Sequence, residues 1–352
     1  MNQSAKQTAI VVCPGRGTYA SKELGYFRRY HAAQAEFLAR LDAYRQQRSL
    51  PSISELDGAA AFSSRLHTTS ENASPLIYAC AVADFLAIDR SRYDIVGITG
   101  NSMGWYLALA CGEAVDHDAG MHLVSTMGSL MQREGEGGQV LFPLVDENWV
   151  YSAALKAALD RAVEQVESEA EIEVYASIHL GGIAVLAATQ AGISALMNAL
   201  PPVQDRYPMV LVNHAAFHTP LMNDVSDHAK QLLSGLQLSA PAVPLIDGRG
   251  KIWAPYATDP HDLYAYTLEE QVFDTYDYSA AIACSVKEFA PDRVIVLGPG
   301  ATLGGPTAQE LIKHRWCGWR NKADFVSTQA NDPFILAMGI EDQRARVVAS
   351  AG

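Results

Sequence analysis

The run Asp94-Ile-Val-Gly-Ile-Thr99 passes directly into Gly100-Asn-Ser-Met-Gly104, and this joint constrains the chain more than any other feature. The first part is a short apolar run of strand length. From Met103 to Ala114 the sequence is mostly apolar and free of proline, which predicts a helix. A chain that turns at once from strand to helix needs small residues around the turn. A serine held there stands exposed at the carboxyl end of a sheet, with the next backbone N–H, that of Met103, turned into the same site. Ser102 is therefore a candidate nucleophile. The same five residues also describe a tight glycine turn with an incidental serine, so the pattern needs partners elsewhere.

The rest of the chain places that joint in an α/β core. Ala9–Cys13 is an apolar strand that ends in Pro14-Gly-Arg-Gly17. Helices are predicted over 22–48, over 66–88 with Thr68, Thr69 and Ser70 as caps, and over 117–131. Beyond residue 212 come a helix at 222–236, an extended segment at 243–247, a helix at 277–289 and a strand at 293–297 closed by Gly298-Pro-Gly300. Alternating strands and helices predict a parallel sheet. Between them the texture changes. Strand 139–145, helix 150–167, strands 171–177 and 182–188, helix 193–200 and strand 209–212 form a β-α-β-β-α-β pattern, which predicts an inserted small ferredoxin-like subdomain. The expected division is 1–134 and 213–305 for the large α/β subdomain, 135–212 for the insertion and 306–352 for a C-terminal extension. Val174–Gln204 carries no Asp, Glu, Lys or Arg, yet glycines and polar residues interrupt it, so it reads as buried strand and helix rather than a membrane span.

Charge and cysteine content exclude other classes. The net charge of −13 argues against nucleic acid as a partner. Five scattered cysteines without a CxxC pair, and an N-terminus without a signal-peptide pattern, point to a reduced, cytoplasmic protein without a structural zinc site. No metal, nucleotide or flavin motif appears: Gly15 and Gly17 lack the spacing of a dinucleotide loop, and there is no GxxxxGK[ST].

A serine nucleophile needs a base. His214 and His218 both sit in Val212-Asn-His-Ala-Ala-Phe-His-Thr-Pro-Leu-Met222, between a strand and a helix, and spacing alone does not choose between them. Four separated motifs, in order, resemble those of the malonyl-CoA:acyl carrier protein transacylase family, the acyltransferases of fatty acid and polyketide synthesis. Cys13-Pro-Gly-Arg-Gly-Thr-Tyr19 is similar to its FPGQGSQ, Gly100–Gly104 to GHSxG, Ala215-Ala-Phe-His-Thr-Pro-Leu-Met222 to GAFHTPLM, and Leu297-Gly-Pro-Gly300 with Leu303 to xGPGxxL. Glu270-Gln-Val272 is a weaker match to RQLxxPV, and the resemblance spans about residues 8–305.

The resemblance implies a hydrolase-like large subdomain and a chain of roles. Ser102 would carry the acyl group as an ester, and His218 would move its proton. The backbone carbonyl of Gln271 would orient His218, and the N–H groups of Arg16 and Met103 would form an oxyanion hole. The substrates would be acyl-CoA or a phosphopantetheine-linked acyl group, the partner an acyl carrier protein, and no cofactor or metal would be bound.

Departures from the family bear on cargo. Leu123-Val-Ser-Thr-Met-Gly-Ser-Leu-Met-Gln132 resembles LVxxRGxxMQ, and Met127 stands where the family has the arginine that takes the malonyl carboxylate. A thioether cannot replace a guanidinium–carboxylate pair, so an acyl group without a free carboxylate is expected. Arg16 and Arg133 are the candidate substitute charges, although neither stands in the matching place. Asn101 replaces a histidine, Trp105 a glutamate, and Ser74 a glutamine before Pro75. The basic, aromatic segment 313–322 reads either as a carrier-protein contact or as a solvated helix end. An acyl-thioester hydrolase, or a silent interaction protein, would share this scaffold.

Overall fold

The computed structural model describes residues 5–168 and 172–349. Two sheets organise them. The first has the strand order β11-β10-β1-β2-β7-β8, with β1 at Gln7–Cys13, β2 at Tyr93–Gly100, β7 at Leu245–Ile246, β8 at Ile252–Trp253, β10 at Arg293–Val296 and β11 at Ile335–Ala337. All neighbours are parallel except the β7–β8 pair at one edge. β1 lies in the middle and Ala9 to Cys13 are fully buried, because helices cover both faces and leave no face for polar side chains. Chain order reverses between β1 and β10, which places the end of β1, next to that of β2, at the switch point where such sheets bind ligands.

The second sheet has the order β6-β3-β5-β4-β9, with β3 at Gly138–Pro143, β4 at Val174–Leu180, β5 at Ile183–Ala188, β6 at Met209–Val210 and β9 at Tyr276–Asp277. The pairs among β3, β4, β5 and β6 are antiparallel, and helices Ala153–Ser168 and Gln190–Ala199 pack on this sheet over a separate apolar cluster. The fifth strand, β9, is parallel to β4 and is supplied by the chain after residue 212. The uncharged stretch after Val174 is thus two strands and a helix. Among the described residues no helix is long and apolar enough to cross a membrane.

Several expected elements are redrawn. The stretch predicted as one helix over 22–48 is broken into short turns and a helix at Ala35–Gln46, because Gly25 adopts φ +79° and His31 turns inward. The 66–88 helix is two, Ser64–His67 and Ser70–Leu86, parted at Thr68 and Thr69; Thr69 is the N-cap of the second. The strand expected at 171–177 lies at Val174–Leu180, and Glu171 is outside the described residues.

The segment after residue 305 is not an appendage. Its strand β11 forms the edge of the first sheet, and its last helix, Glu341–Val347, is tied to the core by Arg344. Three residues of strand give too little pattern to read from sequence. Arg344 Nη1 lies 2.5 Å from Asp84 Oδ1, and Asp84, fully buried, also accepts from Tyr26, from the Gly298 N–H and from His31. Hydrogen bonds from His31 and Arg344 outweigh burial and hold the Asp84 carboxyl below its usual range. Removing one partner of a buried pair leaves the other charge unpaired. Arg344→Ala is expected to cost about 3 kcal/mol, read as a lower urea midpoint at unchanged slope. A midpoint equal to wild type would show that Arg344 does not anchor this helix.

Candidate active site

The turn after β2 is built by close backbone contact. A Cβ on Gly100 would lie 2.3 Å from the Gly104 carbonyl, and one on Gly104 would lie 2.4 Å from the Cys13 carbonyl oxygen. Both positions therefore exclude a side chain, and helix Gly104–Cys111 starts against the end of β1. Between them Ser102 takes φ +57°, the left-handed region, at a cost of roughly 1–2 kcal/mol. Surrounding bonds hold it there. The Gly104 N–H donates to Asn101 O (2.8 Å), the Trp105 N–H to Ser102 O (3.0 Å), and the Tyr276 hydroxyl to Gly100 O (2.7 Å).

Ser102 Oγ lies 2.6 Å from His218 Nε2, and His218 Nδ1 lies 2.7 Å from the backbone oxygen of Gln271. A carbonyl only accepts, so Nδ1 carries the ring proton and Nε2 offers its lone pair to the serine hydroxyl. His218 also takes φ +59°, and its own N–H donates to Val272 O (3.1 Å). Burial pushes its pKa down to about 4, partly offset by the Gln271 bond. The imidazole is neutral at pH 7 and ready to accept a proton. His214, its competitor by spacing, does not touch Ser102. Its Nδ1 lies 2.8 Å from Gln139 Oε1, and burial, with Arg16 and His218 nearby, holds its pKa well below the usual value.

Arg16 and Met103 fall where the two turns meet. Among the described residues neither backbone N–H donates to a protein acceptor, although both flank Ser102 in the cleft. Two such donors can hold an oxygen that becomes negative. The sequence missed the brace behind the pair. Gln271 Nε2 donates to Ser102 O (3.1 Å), and Gln271 Oε1 accepts from the Tyr106 hydroxyl (2.6 Å). One residue thereby holds the histidine with its backbone and the serine turn with its side chain. The spacing of Tyr106, four residues after Ser102, is a helical-turn signal that could have revealed it.

Two chambers open on Ser102. The smaller encloses about 420 Å³ including its mouth, and Tyr106, Val124, Met127, Met131, Phe217 and Val272 give it an apolar wall. Val124, Met127 and Met131 recur at helical spacing along His117–Glu134 and face it together. Ser74 lines it too, and Met127 is 2% exposed. The larger chamber, about 2280 Å³ with its open solvent, is a groove between the two sheets, and Asn101, Arg16, His214 and Lys322 are on its wall.

The substitute charges part company. Arg133 is exposed and bonds its own helix at Ser129 O. Arg16 reaches the wall. Its Nη2 donates to Thr68 O (3.1 Å) and Asn213 O (2.8 Å), its guanidinium lies 5.5 Å from the Phe217 ring, and Nε and Nη1 are enclosed without a partner. Burial lowers its pKa to about 10, so it stays charged at pH 7. In segment 313–322, Lys313 and His314 pair with Glu310, Arg320 pairs with Asp324, and Trp319 is buried against Phe325 and Phe334. Only Lys322 of that segment lines the groove.

No family model matches the sequence. Among relatives, the chain is 26% identical over 209 residues to the polyketide biosynthesis malonyl CoA-acyl carrier protein transacylase PksC of Bacillus subtilis, covering 59% of this chain and 67% of the relative. It is 23% identical over 241 residues to the malonyl CoA-acyl carrier protein transacylase of the same organism, covering 68% and 72%. In fold it is similar to the malonyl-CoA:acyl carrier protein transacylase of Xanthomonas oryzae, with TM-score 0.73, 17% identity and coverage of 98% of this chain and 100% of that one. It is also similar, at TM-score 0.74 and 16% identity over 97% of this chain and 99% of the other, to a chain in a complex of a type II polyketide synthase acyl-carrier protein with its malonyl-transacylase. The chain is thus similar, in sequence and in fold, to malonyl-CoA:acyl carrier protein transacylases.

Proposed function

We propose that the protein is an acyltransferase that moves an acyl group lacking a free carboxylate from a coenzyme A or carrier-protein thioester to an acyl carrier protein, by way of an ester on Ser102. The relay Ser102 Oγ–His218 Nε2, with His218 Nδ1 on Gln271 O, carries this reading. In the first half-reaction His218 Nε2 takes the hydroxyl proton as Oγ attacks the thioester carbonyl carbon. The Arg16 and Met103 N–H groups hold the oxyanion. Collapse breaks the C–S bond, and the thiolate leaves with the proton from His218. In the second half His218 deprotonates the incoming carrier-protein thiol, which attacks the ester and frees Ser102.

The cargo follows from the small chamber. Its wall is mostly apolar, with Arg16 its one charged side chain, and Met127 offers a polarisable surface rather than a charge. Malonyl transfer with Arg16 as a non-standard anchor is the second reading, favoured by the unpartnered Nε and Nη1. Against it, both fork faces of a guanidinium share Nη2, and that nitrogen already serves two carbonyls. Water in place of the acceptor thiol would make the same scaffold a hydrolase. We place 135–212 as the small ferredoxin-like subdomain over the groove, and the protein in the cytoplasm without a bound cofactor.

Mixing the protein with acetyl-, butyryl- and malonyl-CoA should give an intact-mass adduct with the first two in preference to the third. Adding carrier protein should speed its loss. An ester lost equally fast without any thiol would mean hydrolase, and no adduct with any donor would end the acyl-enzyme reading.

The rate should also follow His218. Protonated, Nε2 has no lone pair for the serine proton, so activity falls as pH drops through the folded-state pKa. With that pKa at about 4, kcat/KM for acylation should be flat from about pH 5 upward. A half-point near the usual histidine value, about 6.5, would contradict the buried, neutral base.

A further inference from the structure

The groove side of Ser102 holds three polar side chains with unused hydrogen-bonding capacity. Arg16 Nε and Nη1 are enclosed and unpartnered, and so is Asn101 Oδ1. The Asn101 carboxamide makes no side-chain hydrogen bond among the described residues, and its enclosed oxygen is an acceptor. His214 points Nδ1 at Gln139 Oε1, and Gln139 turns its Nε2 to Ser177 Oγ, 2.6 Å away. The Gln139 oxygen therefore accepts, His214 Nδ1 carries the proton, and Nε2 is a bare acceptor with no described protein partner. Arg16, Asn101 and His214 all line the groove that also contains Ser102.

Buried polar groups are normally paired, so the enclosed donors of Arg16 and the enclosed acceptor Asn101 Oδ1, beside the open acceptor of half-buried His214, mark a ligand with the complementary pattern. A carboxylate does not fit. It would face the lone pair of His214 Nε2, and it would find no guanidinium fork, since Nη2 is taken by Thr68 O and Asn213 O. A secondary amide fits, because it has one donor and one acceptor on opposite sides. Resting on the acyltransferase reading, we propose that Arg16, Asn101 and His214 form a subsite for the secondary amide two methylenes from the sulfur of a pantetheine thioester. Its N–H donates to His214 Nε2, with Asn101 Oδ1 as the neighbouring acceptor, and its C=O accepts from the Arg16 guanidinium. The subsite orients the arm along the groove, so that the acyl group enters the apolar chamber and the sulfur leaves toward the opening.

The test compares three butyryl thioesters: the N-acetylcysteamine thioester, its ester analogue with oxygen for N–H, and its ketone analogue with CH2 for N–H. Thiol release and the Ser102 adduct are followed for each. In wild type the amide should acylate about tenfold faster in kcat/KM than the ketone or ester, the value of one buried neutral hydrogen bond. In His214→Phe the ratio should fall toward one, and His214→Gln, which keeps an acceptor, should restore part of it. Taking the ratio within each variant cancels any loss of folded protein or of serine reactivity. Equal rates for amide and ketone in wild type, or a full preference surviving in His214→Phe, would overturn the subsite alone. No adduct from any of the three would overturn the acyl-enzyme reading itself.

Discussion

Ser102→Ala is expected to remove the intact-mass adduct with every donor and to lower thioester turnover by at least about 10⁴-fold, the scale seen when a serine nucleophile is deleted from a serine–histidine site. The site offers no second attacking group. His218 would keep its bond to Gln271, and the free N–H groups of Arg16 and Met103 would still polarise a bound carbonyl. Water placed by His218 then supplies the residual rate. Folding should survive, because alanine removes only the hydroxyl and the turn is held by backbone N–H bonds from Gly104 and Trp105 and by the side chain of Gln271. Unfolding midpoints of the two proteins, measured beside turnover, separate the chemical loss from a structural one. A Ser102→Ala protein that still gained acyl mass, or kept more than about one hundredth of the rate, would move the nucleophile elsewhere.

The parts of this site that were legible in the sequence share a cause. A strand-to-helix turn tight enough to expose a serine forbids a Cβ at Gly100 and Gly104, so the constraint is written in residue identity. His218 was legible only through its neighbours in the motif, and spacing left His214 equally open. The structure separates them by contact: one imidazole reaches Ser102 Oγ, and the other reaches Gln139. Contacts of high sequence separation could not be read. Gln271 lies 169 positions from Ser102, and Asp84 lies 260 from Arg344. Nothing local at Arg344 signals that it closes a buried charge network, and nothing in three residues at Ile335–Ala337 signals a sheet edge. Helix boundaries at 22–48 failed for a related reason. His31 is drawn inward by Asp84, a tertiary bond that overrides local helix preference. Met127 lies between the two cases: the residue is visible in the sequence, but only the fold places it on the same wall as Ser74 and Phe217.

Met127→Arg is expected to reverse the order of donors. In wild type a malonyl carboxylate entering the small chamber leaves water for a mostly apolar wall whose one charge, Arg16, has no free fork, and a poorly paired buried charge costs several kcal/mol. At about 1.4 kcal/mol per tenfold, butyryl should exceed malonyl in acylation kcat/KM by roughly 10²-fold or more. An arginine at 127 starts from the same buried helix face as Met127, between Val124 and Met131. It supplies a fork that Arg16 does not have free, and so should raise malonyl loading by about 10²-fold while lowering butyryl loading, because a guanidinium now fills apolar space. The malonyl-to-butyryl ratio in each protein is the readout, with adduct mass identifying the group carried. Wild type that already prefers malonyl would sink the reading of Met127. The enclosed Arg16 guanidinium would then be the anchor, and Arg16→Met should erase that preference, because no other unpartnered guanidinium nitrogen is enclosed among the described residues.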